Sequence, residues 1–500
     1  MIRFGEVEPR DDHNQKLVAN VHPPNWKNPE AARRYNLVVI GAGTAGLISA
    51  NIAASLGAKV ALIERHRLGG DCLNVGCVPS KSMIRAARLV AEARRAAQLG
   101  LPLPDGAQLD FGAVMERMRA IRARISHEDS AHRYRDEVGA DVFLGKARFT
   151  SPSSVAVGGA TLHFKKAVIA SGARAAEPAI PGLAEAGFLT NENVFSLTQR
   201  PHRLAVIGGG PIGCELAQAF RRLGCEVTLL HNADHLLPRE DVDAAAIVQR
   251  VLEREGIRLV FNCRIERAQK KGDEKVLCFQ CADGSSCEII VDEILVGAGR
   301  QPNVEGLGLE VAGVAYDPRR GVRVDDFLRT SNRNVYAAGD ICMDWKFTHA
   351  ADAAAKIVVQ NALFFGRKRL SALLMPWCTY TDPEVAHVGI YEHEARERGS
   401  DVATYTIPLE KVNRAVCDGE EEGFVKVHTR RGSDRILGAT IVASHAGEMI
   451  SELTLAMQHN IGLSALIQGH PPLSDAGRGH PGRGRRLHPH APHARCKKDF

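Results

Sequence analysis

The sequence predicts an α/β fold with two nucleotide-binding domains and a smaller α+β domain toward the C-terminus. Two segments, residues 35–64 and 203–231, each run from an apolar strand through a glycine-rich turn into a helix and a second strand. After Trp377 the pattern changes to alternating strands and one amphipathic helix, which is typical of an α+β unit. A length of 500 residues is also too great for one hydrophobic core and indicates roughly two to four domains.

Changes in pattern divide the chain into five predicted parts. Residues 1–34 contain Pro23, Pro24 and Pro29 and little periodicity, so we interpret them as an extension lying on the surface. Residues 82–135 have helical periodicity and predict long helices inserted in the first nucleotide-binding domain. The parts are an extension at 1–34, a first nucleotide-binding domain at 35–186 and 325–370, a second at 187–324, an α+β domain at 371–476 and an irregular basic tail at 477–500.

The composition is that of an ordinary soluble globular protein, with 45% hydrophobic and 24% charged residues. No apolar run approaches the ~18–20 residues of a membrane helix, and the N-terminus lacks the pattern of a secretory signal, so we expect a cytoplasmic protein without a membrane partner. Residues 477–500 account for the whole net charge of +6, and aromatic residues make up only 5% of the chain. The sequence therefore does not indicate nucleic-acid binding.

Both glycine-rich turns follow an apolar strand and open a helix, which is the arrangement that cradles a pyrophosphate in Rossmann-like domains. The glycines are Gly41, Gly43 and Gly46 in the first turn and Gly208, Gly210 and Gly213 in the second. Counting 23 residues from Gly41 reaches Glu64, an acid at the end of the next strand that would accept both hydroxyls of an adenosine ribose.

The same count from Gly208 reaches His231, which Asn232 follows. The second turn therefore lacks both the carboxylate that binds a ribose and an arginine that would bind a 2′-phosphate. A neutral imidazole can hydrogen-bond a ribose, and a protonated one can help to hold a phosphate. The sequence thus predicts a nucleotide at this turn and leaves NADH and NADPH open.

The string GGDCLNVGCVPSK at residues 69–81 places two cysteines directly after the first nucleotide-binding unit. Cys72 and Cys77 lie five residues apart at the opening of a helix, where they are well placed to form a disulfide. The helix dipole would lower the pKa of a thiol there, as dithiol exchange requires. The alternative is a pair of buried cysteines without a redox role.

At this string the chain resembles the pyridine nucleotide–disulfide oxidoreductases, a family that includes lipoamide dehydrogenase, glutathione reductase and mercuric reductase. The resemblance runs from about Tyr35 to about Asp475 and includes several further motifs in order. These are ASGA at 170–173, GAGRQPN at 297–303, TSNRNVYAAGD at 330–340, FTHAADAAA at 347–355 and YTDPEVAHVG at 380–389.

The resemblance implies that FAD binds at the first turn and NAD(P)H at the second. The ADP half of FAD would be bound by Gly41, Gly43, Gly46 and Glu64, its ribityl chain by Asp340, and NAD(P)H by Gly208, Gly210 and Gly213. Gly172 and Arg300, within the ASGA and GAGRQPN motifs, would also bind cofactor, and His231 would contact the nicotinamide dinucleotide.

The resemblance also implies roles at the redox centre. Cys77 would lie against the flavin as the charge-transfer thiolate, and Cys72 would exchange with substrate. Lys81 would approach the flavin and pair with Glu215, which would keep the lysine charged and oriented.

Disulfide-reducing members of this family carry a histidine and a glutamate near the C-terminus, contributed by the partner subunit of a homodimer. The corresponding residues here are His470 and Asp475, with Pro472 in place of the usual threonine. The alternative is a chance histidine in a histidine-rich tail. Residues 477–500 lack apolar periodicity, so we interpret them as an out-of-frame ending in preference to a metal- or RNA-binding tail.

Cys278, Cys281 and Cys287 contain a Cys-x-x-Cys, but no second pair at metal spacing follows. Their stretch alternates like a hairpin, so we expect three thiols there, and no bound metal anywhere in the chain. Twelve cysteines in a cytoplasmic chain likewise favour buried or catalytic thiols over a disulfide framework.

The sequence therefore predicts a homodimeric FAD enzyme that passes electrons from NAD(P)H through the Cys72–Cys77 disulfide to a disulfide or a soft metal. It is most similar to the mercuric reductase-like branch, which VNRAV at 412–416 also resembles. A terminal pair of adjacent cysteines is missing, since only Cys496 lies there. One alternative is a dihydrolipoamide dehydrogenase, and another is a non-catalytic flavin-binding protein with a degraded C-terminus.

Overall fold

The computed structural model describes residues 7–101 and 109–468 of the chain. They form a mixed α/β structure with parallel sheets at its core, as the sequence predicts. The described residues group into two compact units. One comprises the chain through Asp234 together with Glu253–Leu373, and the other comprises His235–Leu252 and the chain from Leu374 onward. The five-part division from the sequence remains a prediction.

A seven-stranded sheet in the first unit carries the first glycine-rich turn. Its strands are β1 (Tyr35–Ile40), β2 (Val60–Glu64), β3 (Asp141–Leu144), β4 (Arg148–Ser151), β5 (Ser154–Val157), β6 (Ala160–Ile169) and β18 (Val335–Ala337). The order is β3-β2-β1-β6-β5-β4, and β18 also pairs with β6. Strands β3, β2, β1, β6 and β18 pair in parallel, whereas β4, β5 and β6 form an antiparallel meander. The strand residues of β1 and β2 are nearly all buried, as in a sheet covered on both faces.

Helices follow most of the strands. They are α1 (Asp12–Val21), α2 (Thr44–Ser55), α3 (Gly70–Asn74), α4 (Cys77–Arg95), α5 (Phe111–Ile125), α6 (Ala131–Asp136), α7 (Leu183–Ala186), α8 (Pro211–Arg222), α9 (Val242–Arg254), α10 (Thr348–Leu363), α11 (Glu392–Glu397), α12 (Asn413–Asp418), α13 (Ala446–Gln458) and α14 (Leu463–Gln468). Helices α4, α5 and α6 occupy the stretch where the sequence predicts inserted helices.

Within the N-terminal segment, Asp12–Val21 forms a packed helix, which differs from the surface extension that the sequence predicts there. The side chain of Asp11 caps α1 by accepting a hydrogen bond from the Asn14 N–H at 2.8 Å. Leu17 and Val21 on α1 are wholly buried, and α1 packs against α5. Arg122 of α5 donates to the Asn14 side chain at 2.7 Å. The sequence pattern that predicts this helix is a capping residue followed by apolar residues at helical spacing. We gave more weight to the prolines that follow α1.

A four-stranded parallel sheet, also in the first unit, carries the second glycine-rich turn. Its strands are β8 (Arg203–Ile207), β9 (Glu226–Leu230), β10 (Arg258–Val260) and β14 (Glu293–Val296), in the order β10-β9-β8-β14. An antiparallel sheet of β11 (Arg264–Lys271), β12 (Glu274–Gln280) and β13 (Ser286–Val291) follows β10. Two short pairs complete the strands of this unit: β7 (Ala173–Ala175) with β15 (Arg300–Pro302), and β16 (Tyr316–Asp317) with β17 (Gly321–Val322).

The predicted hairpin forms between β12 and β13, but two of its cysteines are not thiols. Cys281 and Cys287 form a disulfide, with their Cα atoms 6.4 Å apart, so the prediction of thiols was wrong for this pair. Cys278 is a free thiol, as predicted. The antiparallel register brings these two cysteines together. It places Cys287 opposite Phe279, and Cys281 lies two residues beyond Phe279 on the neighbouring strand end.

The second unit contains a five-stranded antiparallel sheet. Its strands are β19 (Trp377–Thr379), β20 (Glu384–Gly389), β21 (Val402–Pro408), β22 (Phe424–Arg430) and β23 (Ile436–Ala443), in the order β19-β20-β23-β22-β21. Helix α13 packs against β20 and β23 and shares their hydrophobic core. This is the α+β arrangement that the sequence predicts after Trp377. Among the described residues, no helix is both long enough and apolar enough to cross a membrane.

We predict that Leu17→Ala destabilises the first unit, because it leaves a cavity where α1 packs on α5. The expected loss is about 2–5 kcal/mol in the free energy of unfolding, measured by urea denaturation. Lys16→Ala on the exposed face of the same helix is the control and should leave the urea midpoint almost unchanged. Equal midpoints for the two variants would contradict the packed helix.

Candidate functional site

The first glycine-rich turn leads from β1 into α2, and its geometry excludes side chains at two positions. Gly41 has a φ of +105°, and a Cβ there would lie 2.3 Å from the carbonyl oxygen of Ala170. A Cβ on Gly46 would lie 1.8 Å from the carbonyl oxygen of Gly41. Gly43 caps α2, and a Cβ on it would meet only the Cα of Gly70, at 3.6 Å. The turn is therefore tight, and it leads directly into the start of α2, the kind of helix end that binds phosphate.

The second turn, from β8 into α8, has the same construction. Gly208 has a φ of +113°, and a Cβ there would lie 2.8 Å from the carbonyl oxygen of Gly297. A Cβ on Gly213 would lie 1.9 Å from the carbonyl oxygen of Gly208. Gly210 caps α8, with open space where a side chain would stand. The two turns thus lead into helix starts of the same geometry.

The residues predicted to contact ribose occupy matching places in the two turns. Glu64 ends β2, and its two oxygens accept from the N–H groups of Ala42 and His66, each at 2.7 Å. Burial raises the pKa of Glu64, and these two N–H groups oppose the rise. His231 directly follows β9, and its Nδ1 accepts from the N–H of Gly209 at 3.1 Å. Both side chains are 8% exposed.

The structure brings Cys72 and Cys77 together as an unequal pair of free thiols. Cys72 lies in α3, and Cys77 is the first residue of α4. A hydrogen bond from the Cys72 thiol lowers the pKa of Cys77 to about 6, against the opposing effect of burial. The same hydrogen bond, together with burial, raises the pKa of Cys72. Cys77 is therefore the thiolate of the reduced pair at neutral pH, and Cys72 is the thiol.

Thr348 is a functional residue that sequence reasoning missed. Its Oγ1 lies 3.2 Å from the Sγ of Cys77, and this hydrogen bond also lowers the pKa of Cys77. Thr348 is the first residue of α10, 271 positions beyond Cys77. The available signal was its place in the FTHAADAAA motif, but the motif alone did not show which side chain faces the cysteine.

Lys81 and Glu215 form the ion pair that the resemblance implies. Lys81 lies one helical turn beyond Cys77 on α4, and its Nζ donates to an oxygen of Glu215 at 2.8 Å. Glu215 is buried on α8, directly after the second glycine-rich turn, and α4 packs against α8. The charge of Lys81 is a further cause of the low pKa of Cys77. The redox helix is thus tied to the helix of the second turn.

Arg300 connects the redox segment to Asp340. From β15 it donates to the carboxylate of Asp71 and to the carbonyl oxygen of Ala173, the latter at 2.8 Å. Its Nε lies 3.4 Å from an oxygen of Asp340. Burial raises the pKa of Asp340, and Arg300 opposes the rise. Sequence reasoning missed Asp71, which directly precedes Cys72, because its partner lies 229 positions away.

The residues around the first turn fit the FAD that the resemblance implies. Within the described residues, the buried Nε of Arg67 has no hydrogen-bond partner. Burial lowers the pKa of this arginine, while Glu64 and Asp71 oppose the change. A guanidinium whose Nε is buried, three residues beyond Glu64, suits an anionic pyrophosphate. Gly172 has a φ of +66° and open space where a side chain would stand, so the chain between β6 and β7 can also approach a ligand closely.

His470 and Asp475 lie outside the described residues, as does the tail at 477–500. Their predicted acid/base role therefore stays a prediction. The other residues predicted for the site fall mainly into three groups. One is the two turns with Glu64 and His231, the second is the cysteine pair with Lys81 and Glu215, and the third is Arg300 with Asp340.

We predict that Thr348→Val raises the pKa of Cys77, because it removes a hydrogen bond that stabilises the thiolate. In the reduced wild-type protein, the thiolate should form as the pH rises through about 6. The variant should move this midpoint upward by about one pH unit. Thr348→Ser keeps the hydroxyl and is the matched control. The measurement is ultraviolet thiolate absorbance against pH, with Cys77→Ser as the blank, and a common midpoint for all three thiolate-forming proteins would contradict the role of Thr348.

Comparison with known proteins agrees with this geometry. Residues 35–355 match the family described as pyridine nucleotide-disulphide oxidoreductase, and residues 375–478 match the dimerisation domain of the same family. A mercuric reductase of Staphylococcus aureus is 34% identical over 94% of this chain and 88% of its own length. A dihydrolipoyl dehydrogenase of Thermus scotoductus is 36% identical over 89% of this chain and 96% of its own.

Solved structures give the same result. The HOCl-induced flavoprotein disulfide reductase RclA from Escherichia coli superposes with a TM-score of 0.80 at 29% identity, covering 90% of this chain and 99% of RclA. LpdA from Mycobacterium tuberculosis superposes with a TM-score of 0.80 at 28% identity, over 91% of this chain and all of LpdA. The chain is an enzyme of the pyridine nucleotide–disulfide oxidoreductase family, which uses FAD and NAD(P)H.

Proposed function

We propose that this enzyme passes two electrons from NAD(P)H to a Cys72–Cys77 disulfide and then to a disulfide or soft-metal acceptor. The observation that carries the proposal is the unequal thiol pair, since Cys77 is held as a thiolate beside Lys81 and Thr348 while Cys72 stays protonated. FAD, when bound, supplies the two-electron relay between the nicotinamide and the disulfide. The glycines and strand ends assigned from the sequence are proposed to bind the two nucleotides.

The two cysteines have different tasks in this proposal. Reduction of the disulfide by two electrons, with uptake of one proton, leaves Cys72 as a thiol and Cys77 as a thiolate. Cys72 must lose its proton before its sulfur can attack a disulfide acceptor and release one thiol. Cys77 then attacks the Cys72 sulfur, which restores the internal disulfide and releases the second thiol. The raised pKa of Cys72 means that a neighbouring base is needed.

His470, oriented by Asp475, is our candidate for that base, contributed by the partner subunit. The match of residues 375–478 to a dimerisation domain supports a homodimer, and we propose that its active site is shared across the interface. The cytoplasm remains the predicted compartment.

A mercuric reductase-like acceptor is our first choice. Three relatives named mercuric reductase are 34–35% identical to this chain. A soft metal ion suits two thiolates as ligands, and Hg(II) would here be a substrate of the reduced pair.

The different roles of Cys72 and Cys77 predict that serine variants of the two differ in the thiolate–flavin absorbance band. In an anaerobic titration of the flavin-loaded enzyme with NADH or NADPH, wild type should develop the long-wavelength thiolate–flavin band. Cys72→Ser has no disulfide to reduce, so it should show the band before any NAD(P)H is added and lose turnover of acceptor by orders of magnitude, whereas Cys77→Ser should lose both the band and turnover. Cys417→Ser changes an exposed thiol elsewhere and is the control. Absence of the band in wild type would contradict the proposal and favour a non-catalytic flavin-binding protein.

The second candidate function is dihydrolipoamide dehydrogenase, which the relatives of that name favour. It requires a working pair of His470 and Asp475. His470→Ala should then lower dihydrolipoamide turnover about 10²–10⁴-fold, while His480→Ala in the tail should not. Wild type that turns over Hg(II) but not dihydrolipoamide would exclude this candidate.

A further inference from the structure

The two glycine-rich turns differ most informatively at one position, which is the last residue of β2 for the first turn and the residue directly after β9 for the second. In both, the N–H directly after the first glycine donates to a side chain 22 positions further on. In the first turn the acceptor is a carboxylate oxygen of Glu64, at 2.7 Å. In the second it is the Nδ1 of His231, at 3.1 Å. An imidazole therefore stands where the first turn has a carboxylate.

The hydrogen bond from Gly209 determines the tautomer of His231. A backbone N–H can only donate, so Nδ1 must accept, and the proton of the neutral ring lies on Nε2. The backbone that carries the ring is held on both sides. The N–H of His231 donates to the carbonyl of Val260 at 2.8 Å, and its carbonyl accepts from the N–H of Cys263 at 3.1 Å. The side chain is also buried.

This replacement reverses the hydrogen-bonding character of the position. A carboxylate accepts hydrogen bonds from both ribose hydroxyls and repels a 2′-phosphate by its charge. A neutral imidazole with its proton on Nε2 can donate but no longer accept. Its donated bond is stronger to a charged phosphate oxygen than to a neutral hydroxyl, because charge-assisted hydrogen bonds are roughly twice as strong.

We propose that His231 makes the second turn select the dinucleotide with a phosphate on its adenosine ribose, so that NADPH is preferred over NADH. The inference rests on the proposed function only in assigning NAD(P)H to this turn. With one charge-assisted bond and no carboxylate to repel the phosphate, the expected preference is roughly fivefold to tenfold.

The test compares His231→Glu with His231→Gln in the flavin-loaded enzyme. Gln can accept from the Gly209 N–H and donate with its amide, as the histidine does, whereas Glu has the same shape but a negative charge. Two quantities are measured for each protein: the affinities of 2′,5′-ADP and 5′-AMP by calorimetry, and the anaerobic rate of flavin reduction by NADPH and by NADH. Bound flavin and melting temperature verify that each variant folds.

Wild type and His231→Gln should bind 2′,5′-ADP more tightly than 5′-AMP and be reduced faster by NADPH, and His231→Glu should reverse both ratios. Wild type that binds 5′-AMP at least as tightly as 2′,5′-ADP overturns the inference, even if NADH reduces the flavin well. A His231→Glu ratio equal to that of His231→Gln overturns it too. If 2′,5′-ADP is preferred but neither dinucleotide reduces the flavin, the proposed function fails and the preference stands.

Discussion

The ion pair between Lys81 and Glu215 is the contact on which the geometry of the redox centre depends. Lys81 follows Cys77 by one turn of α4, and Glu215 follows the second glycine-rich turn by two residues on α8. The pair therefore ties the redox helix to the helix that would receive the nicotinamide dinucleotide. Glu215 is buried while 37% of the Lys81 side chain is exposed, so the pair orients two helices more than it stabilises the fold.

The same environment explains how two neighbouring cysteines acquire different chemistry. The Cys72 thiol donates a hydrogen bond to Cys77, which raises the pKa of Cys72 and lowers that of Cys77, and the charge of Lys81 adds to the lowering at Cys77. Burial affects both sulfurs in the same direction and therefore does not distinguish them. The asymmetry comes first from the hydrogen bond between the two sulfurs and then from the charge of Lys81, since the Thr348 hydroxyl lowers the pKa of both thiols. A thiolate that is available at neutral pH and a thiol that needs a base are suited to successive steps of one exchange reaction.

The repeated turns show how one backbone design accommodates two ligands. The steric limits at the first and third glycines are nearly identical in the two turns, because a side chain at either place would collide with a carbonyl oxygen. The two turns therefore differ in the side chains that contact the turn from the end of the next strand, which are Glu64 and His231. One atom of each side chain accepts from the backbone N–H of the turn, so the turn is kept. The other polar atom of the side chain can then be an acceptor, as in Glu64, or a donor, as in His231.

Much of the fold and part of the site could be read from local patterns. The glycine spacing, the strand and helix periods, and the cysteine string each report on residues close together in the chain, where backbone sterics and helix geometry act directly. The docking of α1, the Cys281–Cys287 disulfide and the contacts of Cys77 with Thr348 and of Asp71 with Arg300 could not be read in this way. Each depends on strand register or helix packing.

The sequence by itself therefore determined the two nucleotide turns, the α+β unit and the redox string, since these follow from constraints within a few residues. Only the tertiary structure decided which thiol is acidic and which tautomer His231 adopts. Those properties come from single hydrogen bonds and charges brought together by packing, and a displacement of an ångström or two would abolish them.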